Sequence, residues 1–530
     1  MKRAGRRPQG FGSGDAPRPD TAGSQPPARE QRLDHRGLEQ QAIALLMAER
    51  FDEATAVYES LIAEGSQQPV VLGNLGALYG QQGRADEAID LLQRCLRLDP
   101  ANPEAHANLG LVQHEQKGRI EEAIRCFLRA LELRPDHVEA HANLANALLE
   151  QGELEAALRS YRQAIAINPG FSDAYKNYGN ALLIAGDLQA ALAAYRRAVQ
   201  LRPAHPEANK NLAMAELLIG DYRNGLARYE ARFQCRADRH ILSAVPPGPR
   251  WNGEPLAAGS RLLLVSEQGL GDTLQFMRYA LPLRRQGLAI SLCAPSRLHG
   301  LIQASGIDAA PLSPEQASAV GVGMWVPMLS LARHLNVSPA EPIVTAPYIH
   351  TGADRLERWR RRLAGERRPI IAINWQGNPA QERSIATGRS LPLSAFAPIA
   401  ALEGVSLLSV QKGPGSEQLQ RCGFRDRFVS CQELVEATWD FEETAAILAS
   451  CDLVISSDTA VAHLAGGMGR PTWLLLKAIP EWRWGLEGEG CFWYPSMRLC
   501  RQRRIGDWPE LMERLASDLA GRLSSGAFRG

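Results

Sequence analysis

Two short segments of this chain hold side chains that could do chemistry. The first, Glu267-Gln-Gly-Leu-Gly-Asp272, follows the apolar run 261 to 266 (RLLLVS) and opens a stretch of helical periodicity from Thr273 to Arg285. Gly269 and Gly271 permit a tight turn and a close approach of a ligand to the helix N-terminus. Asp272 is placed to cap that helix, to act as a general base, or to do both. The second segment is DTAVAHLAGGMGRP at 458 to 471. Thr459 and His463 are four apart and share one face of a helix, with Asp458 at its mouth. Free backbone N–H groups there suit a phosphate. The Asp458 carboxylate would repel it, so Asp458 is assigned to ligand hydroxyls or to capping, with Thr459 and His463 nearer the phosphates. The structural alternative is a capping Asp and a core His.

Cations stand in two neighbouring loops, Arg389 in the polar loop 376 to 390 and Lys412 in Gln411-Lys412-Gly413. Read as having no carboxylate partner in its own loop, each suits a diphosphate. Arg383 shares the loop with Arg389, which leaves open which of the two reaches in. No Asp-x-Asp pair stands where a metal-bridged diphosphate needs one, so no metal is assigned and charge is met by Arg, Lys and helix dipoles. Trp482, Trp484, Trp493, Trp508 and Tyr494 make an aromatic-rich stretch that reads as core packing rather than a binding platform.

These segments need strands and helices to hold them. After 246 to 259, with four prolines and three glycines, helical periodicity stops. Apolar runs then predict strands at 261–266, 289–293 and near 323–326, and at 370–375, 405–410, 426–429, 452–456 and 471–476. Helices are expected at 273–285, 394–402, 415–421, 441–450, 459–468 and 508–522. Two βαβ domains in tandem with a cleft between them follow. Ligands of such sheets sit beyond the carboxyl ends of the strands, where Asp272, Gln376 to Asn378, Gln411 to Gly413 and Asp458-Thr459 all fall.

The first half is built differently. Asn74, Asn108, Asn143, Asn177 and Asn211 are spaced by 34, 35, 34 and 34 residues. An alanine recurs at 88, 123, 157 and 191 and a proline at 100, 135, 169 and 203, which is a tetratricopeptide signature. Gly or Ala lets paired helices approach, and Pro ends the second helix. A weaker unit with Phe51, Ala54, Tyr58 and Pro69 precedes, and a frayed one with Leu212, Gly225, Tyr229 and Phe233 follows. About six repeats are expected, stacked because one hairpin cannot bury its apolar face alone.

The second half resembles glycosyltransferases of the GT-B class and heptosyltransferase type, through GLGD at 269 to 272 and DTAVAHLAGGMGRP at 458 to 471. The resemblance covers most of 261 to 505. It implies metal-independent transfer from a nucleotide-sugar, with Asp272 as base, Asp458, Thr459 and His463 in the donor site, and Arg389 or Lys412 on the donor phosphates. Repeats fused to such a half are also similar to the O-linked N-acetylglucosamine transferases, whose asparagine ladder binds the polypeptide acceptor. Asn74, Asn108, Asn143, Asn177 and Asn211 match that ladder.

The expected architecture is multidomain, an all-α tetratricopeptide superhelix followed by an α/β pair of Rossmann-like domains. The boundaries are a disordered tail 1–35, repeats 36–238, a linker 239–260, an acceptor-side domain 261–350, a linker 351–368, a donor domain 369–505 and a C-terminal helix and tail 506–530. The balance of 59 basic and 58 acidic residues gives no pull on nucleic acid. No apolar run reaches the length of a membrane span. The tail has Arg6-Arg7 but no apolar stretch after it, unlike an export signal. Nine cysteines without a CxxC pair point to free thiols in a reducing cytoplasm.

The expected function is sugar transfer from a nucleotide-sugar, with no cofactor, to a hydroxyl on a protein or peptide held by the repeats. The alternatives are a non-catalytic scaffold and a transferase acting on glycan or lipopolysaccharide.

Overall fold

The computed structural model describes residues 35–116, 118–235, 240–267, 269–319, 321, 323–379, 382 and 388–528. The expected tail up to residue 34, Gln268 of the first loop and Arg383 lie outside the described residues. The chain divides into two compact units between 117 and 118.

The first unit is helical: His35–Met47, Phe51–Ala63, Pro69–Gln81, Ala85–Leu98 and Pro103–Glu115. Each helix packs on the next through small residues. Ala54 and Ala88 are fully buried, and a Cβ on Gly76 would meet Leu92 Cγ at 2.8 Å. One proline does not end a helix as its spacing predicts. Pro69 opens a helix at its first turn, as Pro103 does, because that turn needs no N–H donor there.

The second unit begins with the remaining repeat helices, Ile120–Leu133, Val138–Glu150, Leu154–Ile167, Ser172–Ile184, Leu188–Leu201, Pro206–Leu218 and Tyr222–Tyr229. Here too the crossings are tight: a Cβ on Gly179 would fall 2.5 Å from the Tyr195 ring. The last helix is short and runs on as a 3-10 turn, Glu230–Gln234.

Two parallel sheets follow. Strands β1 (Arg261–Val265), β2 (Ala289–Cys293) and β3 (Met324–Pro327) form the first in the order β2-β1-β3. Strands β4 (Ile370–Asn374), β5 (Ser406–Ser409), β6 (Leu453–Ser457), β7 (Thr472–Leu476) and β8 (Met497–Arg501) form the second in the order β5-β4-β6-β7-β8. Every residue of β4, β6 and β7 is buried, which explains their unbroken apolar runs.

Several elements differ from expectation: the expected linker 351–368 is largely the helix Ala353–Arg362, and the helix expected at 415–421 is a 3-10 turn, Ser416–Arg421. The segment 426–429 is no strand: Arg425–Arg427 is a 3-10 turn whose guanidiniums reach the Leu419 and Leu402 carbonyls, and Phe428 makes a single bridge to Leu407. Strand β8 escaped notice because it is the last strand of its sheet, pairing with β7 and making a single bridge from Arg498 to Gly490, and its arginines interrupt the apolar pattern. The helix expected at 273–285 is divided into Leu270–Phe276, a 3-10 turn and Ala280–Arg285, where Pro282 removes a backbone donor.

One hydrophobic core runs from Tyr161 and Tyr195 in the repeats through Tyr222, Leu264 and Phe276 to Val454 and Trp493. A second core lies on the other face of the larger sheet under the helix Trp508–Ser524. The proline-rich segment between repeats and sheet is itself fastened to it. Ser243 N donates to Ser266 O at 3.0 Å and Trp251 N to Trp325 O at 2.8 Å. Within this unit, the end of the sequence period is no break in packing.

Candidate active site

The two motifs meet where the strands end. The turn after β1 passes through Gly269, at φ +103°, and enters the helix Leu270–Phe276, which packs on the helix Ala460–Gly467 that follows β6. Glycine is required at the contact: a Cβ on Gly271 would sit 2.8 Å from His463 Cδ2. Asp272 and His463 therefore line one space, although 191 positions separate them (463 minus 272).

Asp272 keeps 30% of its side chain exposed and accepts from Arg483 Nη2 at 2.6 Å. Burial pushes its carboxyl up to about 6; Arg483 opposes the shift, and Glu481, Glu267 and Asp458 add to it. Asp458 is buried, and burial likewise raises its carboxyl, with Arg389 and Arg483 opposing. His463 stacks on Trp484, with centroids 5.3 Å apart, and its Nδ1 lies 3.0 Å from the Tyr494 hydroxyl. Burial, then Arg483, Arg278 and Arg389, hold the imidazole well below its ordinary value, so it stays neutral.

The other expected ligands divide. Arg389 lies beside Asp458 and His463 in the local field, with Gly377 packed against it. Its Nε has no hydrogen-bond partner among the described residues, and Glu382 Oε1 is 3.8 Å away. Arg389 thus does have a carboxylate in its own loop, and the sequence reading is corrected on that point.

Thr459 turns its hydroxyl to Asn374 Oδ1 at 2.8 Å, at the end of β4. Gln411 is buried and accepts from Asn374 Nδ2 at 2.8 Å and from Gln376 N at 3.0 Å, so it shapes the loop after β4 from behind. Lys412 is not brought to the cluster. Its Nζ donates to the Val435 and Glu436 carbonyls at the end of the helix Gln432–Glu436, where cations complement the exposed carbonyls.

Two residues of the site escaped the sequence reading. Arg483 is 7% exposed and donates to Asp272, to Gln275 Oε1 at 2.8 Å and to Glu481 Oε2 at 2.6 Å. It sits inside Trp-Arg-Trp, and the tryptophans drew the reading toward packing. That packing is real, since Trp482 and Trp484 are both buried. Lys477 follows β7 directly, in the field of Glu481, Asp458 and Arg389, and burial draws it below the ordinary lysine range. Its place one residue past a strand end was the available signal.

In the repeats, the ladder asparagines are half-buried. Asn74 Nδ2 donates to the Tyr58 hydroxyl at 2.9 Å. Asn177 and Asn211 donate to the Oδ1 atoms of Asn146 and Asn180, at 3.1 and 2.9 Å, and the same oxygens accept from Tyr161 and Tyr195. No helix among the described residues is long and apolar enough to cross a membrane. None of their His, Cys, Asp or Glu clusters could hold a metal ion.

Comparison with known proteins agrees with this division. Models of the tetratricopeptide repeat match 76–117 and, in overlapping windows, 114–233. The model of glycosyltransferase family 9 (heptosyltransferase) matches 416–485, a stretch that holds Asp458, His463, Lys477 and Arg483 but not Asp272. A curated relative, Protein FlbA of Caulobacter vibrioides, is 26% identical over 315 residues. That match takes in 52% of this chain and 48% of FlbA, so the chain spans about half the length of that relative.

Among solved structures, a thermophilic tetratricopeptide protein of Thermus thermophilus is 22% identical, with a TM-score of 0.32, over 35% of this chain and all of that one. PilF of Pseudomonas aeruginosa is 16% identical, with a TM-score of 0.33, over 38% of this chain and 90% of its own.

Proposed function

For a chain that joins tetratricopeptide repeats to a glycosyltransferase family 9 (heptosyltransferase) domain, we propose transfer of a sugar from a nucleotide-sugar to a hydroxyl of a protein or peptide held by the repeats. The observation that carries the reading is the convergence of Asp272 from one sheet with Asp458, His463, Arg389 and Lys477 from the other. Partly and fully buried carboxylates and cations that face one another at strand ends mark a reacting centre more often than a packing device.

In this mechanism the acceptor oxygen attacks the anomeric carbon while Asp272 takes its proton. The bond from that carbon to the donor phosphate breaks, and its electron pair leaves with the nucleotide. Arg389, Lys477 and the N-terminus of the helix Ala460–Gly467 receive that charge without a metal. Neutral His463 donates a hydrogen bond rather than a full charge. Arg483 holds the Asp272 carboxylate in place until the acceptor hydroxyl displaces one of its contacts.

The test is transfer or donor hydrolysis across a panel of nucleotide-sugars. Asp272→Ala and His463→Ala are each expected to lose at least about a hundredfold. Full activity in both would overturn the assignment, and a wild type that binds no nucleotide by calorimetry would reduce the chain to a scaffold.

A further inference from the structure

A cavity of about 410 Å³ lies beside this site, with one wall from the last two repeats and the other from the loop after β7. Leu183, Ile184, Met214 and Leu218 contribute the repeat wall, and Ile479 and Ile505 face them. Ile505 is 47% exposed, an apolar side chain left at the rim of an apolar space. The volume is within the range of a ligand site and accommodates a large side chain together with a stretch of its backbone.

The polar groups on the lining include Lys210 beside the two repeat asparagines, Arg232, and Lys477, through which the cavity adjoins the proposed donor site. Asn180 and Asn211 form the repeat-side edge. Asn211 Nδ2 donates to Asn180 Oδ1, and among the described residues Asn180 Nδ2 and Asn211 Oδ1 have no partner. One open donor and one open acceptor match the N–H and C=O that each residue of an extended backbone presents.

At the other side Glu481 lines the cavity and accepts from Arg483, whose other nitrogen donates to Asp272, each at 2.6 Å. Two hydrogen bonds and the width of one guanidinium thus separate the cavity wall from the proposed base. An extended chain advances about 3.3 Å per residue and covers that span in two or three residues.

We propose that this cavity is the acceptor's specificity subsite. It takes a large aliphatic or aromatic side chain two or three residues from the modified hydroxyl, while Asn180 and Asn211 hold the backbone between them. The inference rests on the protein-acceptor reading above and adds a sequence requirement to it. The amide pair and the short reach to Asp272 favour a polypeptide over a lipid, which the six aliphatic side chains alone would also suit.

Affinity selection on the full chain tests this with soluble peptides that carry a central Ser or Thr and randomised flanks, read by mass spectrometry. The wild type is expected to enrich Leu, Ile, Met, Phe or Tyr about tenfold at one position within three residues of the hydroxyl. Met214→Lys and Leu183→Gln are each expected to lose that enrichment while melting temperature and nucleotide-sugar hydrolysis stay near wild type; two variants guard against one misfolding. Asp272→Asn is expected to keep the enrichment.

Absence of any apolar preference, or the same preference in both cavity variants, overturns the proposal. So does displacement of a fluorescent acyl probe from the cavity without peptide enrichment. Enrichment with no transfer from any nucleotide-sugar would leave the subsite standing and defeat the transfer reading instead.

Discussion

The repeats and the strand ends both bury polar side chains, but they resolve them in opposite ways. In the repeats the groups close on one another pairwise: the asparagines and tyrosines as neutral pairs, buried Glu216 with Arg228 and buried His205 with Asp173. Asn180 Oδ1 accepts from Tyr195 and from Asn211, and the arrangement recurs one repeat earlier with Asn146, Tyr161 and Asn177. At the strand ends, ionisable groups are left facing each other, and burial has moved them away from their ordinary values: Asp272 up to about 6, Asp458 up, Lys477 and His463 down. A polar group that repeats with the period secures the fold. One that occurs once, among displaced neighbours, is where chemistry is expected.

Four substitutions or conditions would break or sharpen this contrast. Removing a cation from the strand ends has the largest expected effect: Arg389→Ala should lower kcat about 10² to 10³-fold in steady-state transfer assays. Next comes pH. The base must be ionised, and its carboxyl titrates near 6, so kcat/KM should fall about tenfold per pH unit below 6 and level off above it. A profile flat down to pH 4 would mean that the group is not displaced in the working enzyme.

In the repeats the effect should be on stability rather than rate. Asn180→Ala leaves the buried Tyr195 hydroxyl without its acceptor and should cost about 1 to 3 kcal/mol by urea unfolding, with donor hydrolysis unchanged. Smallest of all, Lys412→Met removes a cation that serves a helix end, and should change kcat by no more than about twofold while lowering stability by less than about 1 kcal/mol.

How much was legible in the sequence follows the same contrast. The repeats could be read because the period dictates packing: the alanines at 88, 123, 157 and 191 are all fully buried. Strands β4, β6 and β7 could be read because burial on both faces writes an apolar run. Asp272 and His463 could be singled out, but their meeting depends on Gly271 passing under the imidazole, a contact between residues far apart in the chain.

Lys412 and Lys477 show the limit most plainly. Both are lysines just past a strand, and only the neighbouring elements decide their roles: a helix end claims Lys412, and Asp458 with Glu481 surround Lys477. Arg483 was hidden for a further reason, since its loop is held by packing of Trp482 against Tyr222 and Tyr229 of the last repeat.

The central claim is that Asp272 works on a donor held by the opposite loop. It is tested most directly by measuring donor affinity and single-turnover transfer together for Asp272→Asn. The expected result is a nucleotide-sugar Kd within about twofold of wild type and a transfer rate lower by about 10² to 10⁴. An unchanged transfer rate, or loss of donor binding equal to the loss of rate, would contradict it.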